Sequence, residues 1–86
     1  MSPVAYIDNI CEKNNLDQYK EDIKTLARYI MQEKDILYSS RPEYVACGIV
    51  KRFCDSRNIN TKSFSKTNNI SDNALKKIIN DIEEFF

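Results

Sequence analysis

The 86-residue chain has no histidine, no tryptophan, one glycine, two prolines and three cysteines. Without histidine it lacks the side chain that titrates near neutral pH and most often binds metals. With a single glycine it has no glycine-rich phosphate loop. No Cys-x-x-Cys pair occurs, so the four closely paired ligands of a structural zinc site are missing too. These absences weigh against an enzyme and against a cofactor or metal. Cys11, Cys47 and Cys54 are odd in number and sit within apolar periodic stretches. They read as reduced core residues of a protein from a nuclear or cytosolic compartment. Scarce glycine and proline exclude a β-sandwich with frequent turns and favour an all-helical fold. No apolar run reaches the length of a membrane span or a signal sequence, so a soluble protein is expected. The length suits one domain and excludes a two-domain enzyme.

Charge is balanced overall, with 13 Lys and Arg against 13 Asp and Glu, which excludes a uniformly basic nucleic-acid binder. The distribution is uneven. Residues 1–50 carry six basic and eight acidic side chains, residues 51–77 seven and two, and residues 78–86 none and three. The middle segment, with Lys51, Arg52, Arg57, Lys62, Lys66, Lys76 and Lys77, is where an anionic partner would be steered.

Helical periodicity runs through the chain. Ser2-Pro3 opens a first short helix, with Val4, Ile7, Ile10 and Cys11 at helical spacing, and Asn14-Asn15 closes it. Asp17 is read as the N-cap of a second helix, whose stripe is Ile23, Leu26, Ala27, Ile30 and Met31. Ser40-Arg41-Pro42-Glu43 has the pattern of a capping box and opens a third helix. From Tyr44 to Cys54 that helix is apolar on nearly every side, as expected of a central helix, and Gly48 within it points to a close neighbouring backbone. The polar stretch NINTKSFSKTNN hides a short fourth helix capped by Asn60 or Thr61, with Phe64 and Thr67 one turn apart and Asn69 in a left-handed turn. Ser71 caps a fifth helix with Ala74, Leu75, Ile78, Ile79, Ile82 and Phe86 inward and Asp72, Asn73, Lys76, Lys77 and Asn80 outward. A short helix, a tight turn and a longer helix form a helix-turn-helix candidate. Tyr6, Tyr19, Tyr29, Phe53, Phe64 and Phe86 are read as core or core-edge aromatics, and Tyr38 and Tyr44 as partly exposed.

Four segments, YIDNICEKNNL, LARYIMQEKDIL, RPEYVACGIV and NISDNALKK, resemble in order the helices of one cyclin-like repeat of the transcription factor IIB family, most closely the C-terminal repeat of its core domain. RPEYVACGIV is similar to the family's R-x-P-x-x-[IV]-A-A-A-A-I segment, and NISDNALKK to its G-V-[ST]-x-x-T-I-[RK] segment. The resemblance implies a five-helix cyclin-like domain with a buried third helix and a helix-turn-helix formed by the last two. It implies a piece of a longer factor that contacts promoter DNA and the TATA-binding protein, and RNA polymerase through other parts of that factor. It implies the nucleus, or the cytoplasm for an archaeal protein or a cytoplasmic viral factory. Carried over residue by residue, it places Asn69, Ser71, Asp72, Asn73, Ala74, Lys76 and Lys77 toward a DNA groove. Lys51, Arg52, Arg57, Lys62 and Lys66 become candidate phosphate contacts. The chain departs from the family where Asn69 replaces Gly, Ala74 replaces Thr and Lys76 replaces Arg. Lysine neutralises a phosphate but lacks the planar fork that arginine offers a guanine edge. A cyclin-like module that docks proteins without touching DNA is the alternative.

Overall fold

A computed structural model describes residues 2–86, leaving aside the side chain of Ile36. The described residues form five α-helices: α1 (Ile7–Lys13), α2 (Lys20–Glu33), α3 (Pro42–Ser56), α4 (Phe64–Thr67) and α5 (Asp72–Ile82), with short 3-10 turns and no strand among them. The all-helical expectation is met.

α3 is the interior helix. Val45 to Val50 are buried without a break, as are Phe53 and Cys54, and the helix packs against α5, α1, α2 and the N-terminal turn Pro3–Tyr6. Each fully buried Val or Ile contributes roughly 1.5–3 kcal/mol relative to an exposed one, so this run is the densest source of stability in the chain. The buried side chains of all five helices make one continuous cluster, with α4 joined to it through Phe64 and Ile70. Gly48 meets Ile78 of α5, but the close neighbour is the branched Ile78 side chain, through its Cγ2 and Cβ, rather than the backbone expected there. All three cysteines are free and buried.

Three helices end in one way. Asn15, Asn58 and Asn69 follow α1, α3 and α4 with φ of 57, 58 and 54°. Each is followed by an aliphatic residue whose N–H donates five residues back: Leu16 to Cys11, Ile59 to Cys54 and Ile70 to Ser65, at 2.8, 2.8 and 3.0 Å. A left-handed residue satisfies the last free carbonyls and turns the next side chain inward; glycine usually does this, and asparagine is its best substitute. In a chain with one glycine, Asn-Leu and Asn-Ile pairs serve as the helix stops.

Several local expectations are corrected. The cap of α3 is Arg41, not Ser40: proline at the first helical position confines the residue before it to extended backbone, which is the N-cap conformation. The capping box is therefore absent, and the Glu43 carboxylate accepts from the Arg41 guanidinium at 2.8 Å instead. Asp17 does not cap α2 but begins a 3-10 turn, Asp17–Tyr19, where burial of Leu16 tightens the entry and the Tyr19 N–H reaches the Leu16 carbonyl at 2.9 Å. α4 starts after Ser63, which has φ 55°, rather than after Asn60 or Thr61. The Thr61 hydroxyl is drawn to Lys51 at 2.8 Å. Thr67 is exposed, and Ile70 fills the inward place beside Phe64. Phe86 is not inward but 38% exposed, because α5 gives way at Ile82 to the turn Glu83–Phe85, which changes the direction of the chain. Tyr29, read as core or core-edge, is 54% exposed.

Candidate nucleic-acid interface

The two elements of the candidate are held by different forces. α5 is held by apolar burial of Leu75, Ile78 and Ile82 against α3. Its start is set by Ser71, whose hydroxyl accepts from the Ala74 N–H at 3.2 Å. α4 spans only four residues, too short to be stable alone. Phe64 anchors it, and an amide pair ties its end to α1. Asn14 Nδ2 donates to the Ile10 carbonyl at 2.7 Å and to Asn68 Oδ1 at 3.1 Å, while Asn68 Nδ2 donates to the Phe64 carbonyl at 2.8 Å. The tight turn through Asn69 then leads into α5. Ser65 Oγ donates to Asp72 across the turn at 2.6 Å, so the first carboxylate of α5 is engaged by α4.

The cationic residues singled out from the sequence divide into two groups. Lys51 and Arg52 are half-buried and committed inside the fold. Lys51 pairs with Asp55 at 3.0 Å and also donates to Thr61. Arg52 pairs with Glu83 at 2.8 Å and lies 4.9 Å from the centre of the Phe86 ring. The hydrogen bond to Glu83 raises the Arg52 pKa above its ordinary value, with desolvation opposing. Arg57 has no ion-pair partner among the described residues, but its guanidinium sits 4.5 Å from the centre of the Phe53 ring, facing a different groove. Lys62, Lys66, Lys76 and Lys77 are exposed and have no carboxylate within ion-pair reach among the described residues. Among the candidate phosphate contacts around α4 and α5, these four ammonium groups are the ones left open to an anion.

The candidate groove residues also separate. Lys66, Asn69, Ser71 and Asp72 line one cleft between α4 and α5. Ala74 and Lys77 line another, between α5 and the start of α3, together with Arg41 and Tyr44. Asn73 and Lys76 are exposed on α5. Arg41, which the charge count did not single out, is therefore placed near Lys77; its guanidinium lies 4.4 Å from the centre of the Tyr44 ring. No charge pattern in the sequence reveals this, because Arg41 and Lys77 lie on separate elements.

The acidic tail is largely neutralised. Lys34 donates to the Asp81 carbonyl and pairs with Glu84 at 2.7 Å, and Glu83 is held by Arg52. Lys34 thus places a positive charge at the C-terminal end of α5, where the helix dipole is negative. The three buried thiols are pushed up to about 11, mainly by desolvation, and stay protonated at neutral pH. No group of three or more His, Cys, Asp or Glu side chains among the described residues is placed to hold a metal ion. No helix of the described residues is long and apolar enough to cross a membrane. Comparison with known protein families, with curated proteins and with solved structures finds no match.

Proposed function

We propose that this chain is a cyclin-like repeat similar to those of the transcription factor IIB family, acting as a DNA-binding and scaffold module of basal transcription initiation that contacts promoter DNA and a TATA-binding protein. The observation that carries this reading is the α4–turn–α5 unit. Four lysines, at positions 62, 66, 76 and 77, are left without internal ion pairs around it, while Lys51, Arg52 and Lys34 are consumed by carboxylates of the chain. Free exposed lysines bind a phosphate backbone by displacing counterions, without reading sequence. On this reading, the exposed Asn73 and Lys76 near the N-terminus of α5 face the DNA groove, with Lys66 and Lys77 at the flanks. The test is binding to a labelled duplex across a salt series, alone and beside a TATA-binding protein. Affinity should fall linearly on logarithmic axes, and Lys76→Glu with Lys77→Glu should abolish it. Affinity indifferent to salt, or unchanged in that variant, counts against the reading.

A protein-docking module without DNA contact is the second reading. It is favoured by the open aromatic groove beside Tyr29 and Phe86, which none of the lysines of α4 and α5 lines. The same charge-reversal variant separates the two, since it leaves that groove intact.

A further inference from the structure

An open groove of about 630 Å³ lies between α2, the end of α3 and the C-terminal turn. Leu26, Phe53 and Phe85 contribute apolar surface to it, and the exposed rings of Tyr29 and Phe86 stand at its edge. Tyr29 and Phe85 meet edge to face with centroids 5.9 Å apart, which holds both rings in place for a partner. Two charged residues also line it, Asp22 from α2 and Arg57 at the end of α3. Neither has an ion-pair partner among the described residues, and they do not pair with each other. The surface thus offers one free anion, one free cation and an aromatic patch.

We propose that this groove binds the same groove of a second copy of the chain in a two-fold dimer, with Asp22 of each copy paired to Arg57 of the other. A two-fold contact brings one surface against itself, so it needs a surface that is its own complement. A purely acidic or purely basic rim would repel its copy; a rim with one charge of each sign forms two reciprocal ion pairs. The net charge of zero leaves no long-range repulsion between copies. A contact confined to this groove makes the dimer weak and reversible, with a Kd on the order of 100 μM. The inference is independent of the DNA-binding reading, because none of Lys62, Lys66, Lys76 and Lys77 lines this groove.

Sedimentation equilibrium of the whole chain, from about 20 μM to about 1 mM at low salt, tests it. A reversible monomer–dimer equilibrium is expected. Arg57→Asp alone and Asp22→Arg alone should each weaken association at least about tenfold, since each faces its own copy with like charges. An equimolar mixture of the two variants re-forms both ion pairs and should dimerise as the parent does. Tyr29→Glu, which buries a charge against the opposing aromatics, provides a break independent of ion pairing, and circular dichroism checks that each variant keeps its helices. A chain that remains monomeric at about 1 mM, leaving the groove to another protein or to further residues of a longer chain, overturns the proposal. Association unaffected by the charge reversals, or a mixture that fails to recover, overturns it equally.

Discussion

Ile78 of α5 packs over Gly48 of α3 so closely that a Cβ built on Gly48 would stand 3.0 Å from the Ile78 Cβ and 3.8 Å from its carbonyl carbon. The contact joins the central helix to the helix that carries the candidate interface. The absence of one methyl group therefore sets how near α5 lies to the core.

Gly48→Ala should destabilise the protein by about 1–3 kcal/mol despite the roughly 1 kcal/mol that alanine gains in helix propensity, because the new Cβ would meet Ile78 Cγ2 first and then its Cβ, and a β-branched side chain on a packed helix cannot swing both aside. Chemical denaturation measures the loss. Ile78→Ala in the same chain should recover part of it, and a double-mutant cycle should give a favourable coupling. Equal stability of Gly48→Ala and the parent would mean that α5 sits further out.

Removing the amide tie should loosen α4. Asn14→Ala leaves the Asn68 side chain with only its local bond to the Phe64 carbonyl and should cost about 1 kcal/mol. Hydrogen exchange should quicken at the amides of Thr67, Asn68 and Ile70, which bond within this short segment, more than at those of α3. Uniform quickening across all helices would show that the tie contributes only global stability.

The left-handed helix stops give a prediction of opposite signs. Asn58→Gly should be neutral or stabilising by a few tenths of a kcal/mol, since glycine adopts φ near 58° without cost. Asn58→Val at the same place should cost about 1–2 kcal/mol. Thermal melts of the two variants should bracket the parent.

The thiols predict loss of stability in alkali. Burial raises Cys11, Cys47 and Cys54 from the ordinary 9.0 to about 11 in the folded chain. The unfolded chain ionises first, so their stabilising effect is complete below pH 9 and is lost as pH climbs from 9 through 11. Each accounts for up to about 2–3 kcal/mol by the upper end of that window. Denaturation midpoints from pH 8 to 11 in the parent and in Cys47→Ala should diverge in slope, with the variant the flatter. Below pH 9 the native thiols should resist alkylation.

The salt dependence of duplex binding reports how many of the lysines around α4 and α5 meet phosphates. With the four lysines around α4 and α5 each neutralising one phosphate, the logarithmic slope should be about −3.6. Lys51→Gln should leave that slope unchanged while lowering stability, because Lys51 is occupied by Asp55 and Thr61. A slope near −6 would show that cations beyond the α4–turn–α5 unit also meet phosphates.

Much of the helical layout is legible in the chain itself. The stripe of Ile23, Ala27, Ile30 and Met31, the unbroken apolar run from Val45 to Val50 and the cap at Ser71 are local patterns, and the structure follows each. Pro42 also decides its own surroundings, but by confining Arg41, so a reading based on Ser40 and Glu43 misses the cap by one residue. The candidate site is less legible. Lys51 and Arg52 have the same sequence character as Lys76 and Lys77, and which of them meets a carboxylate depends on Asp55, Thr61 and Glu83 lying nearby in space.

By itself, then, the sequence determined the helix count, the buried face of each long helix and the reduced state expected of its thiols, because periodicity, caps and composition act over one or two turns. Only the tertiary structure decided which charges are spent internally, which aromatic rings stay open at Tyr29 and Phe86, and how closely α5 approaches Gly48. Those outcomes depend on distances between residues far apart in the chain, such as the 54 positions that separate Asn14 from Asn68, and no local spacing encodes them.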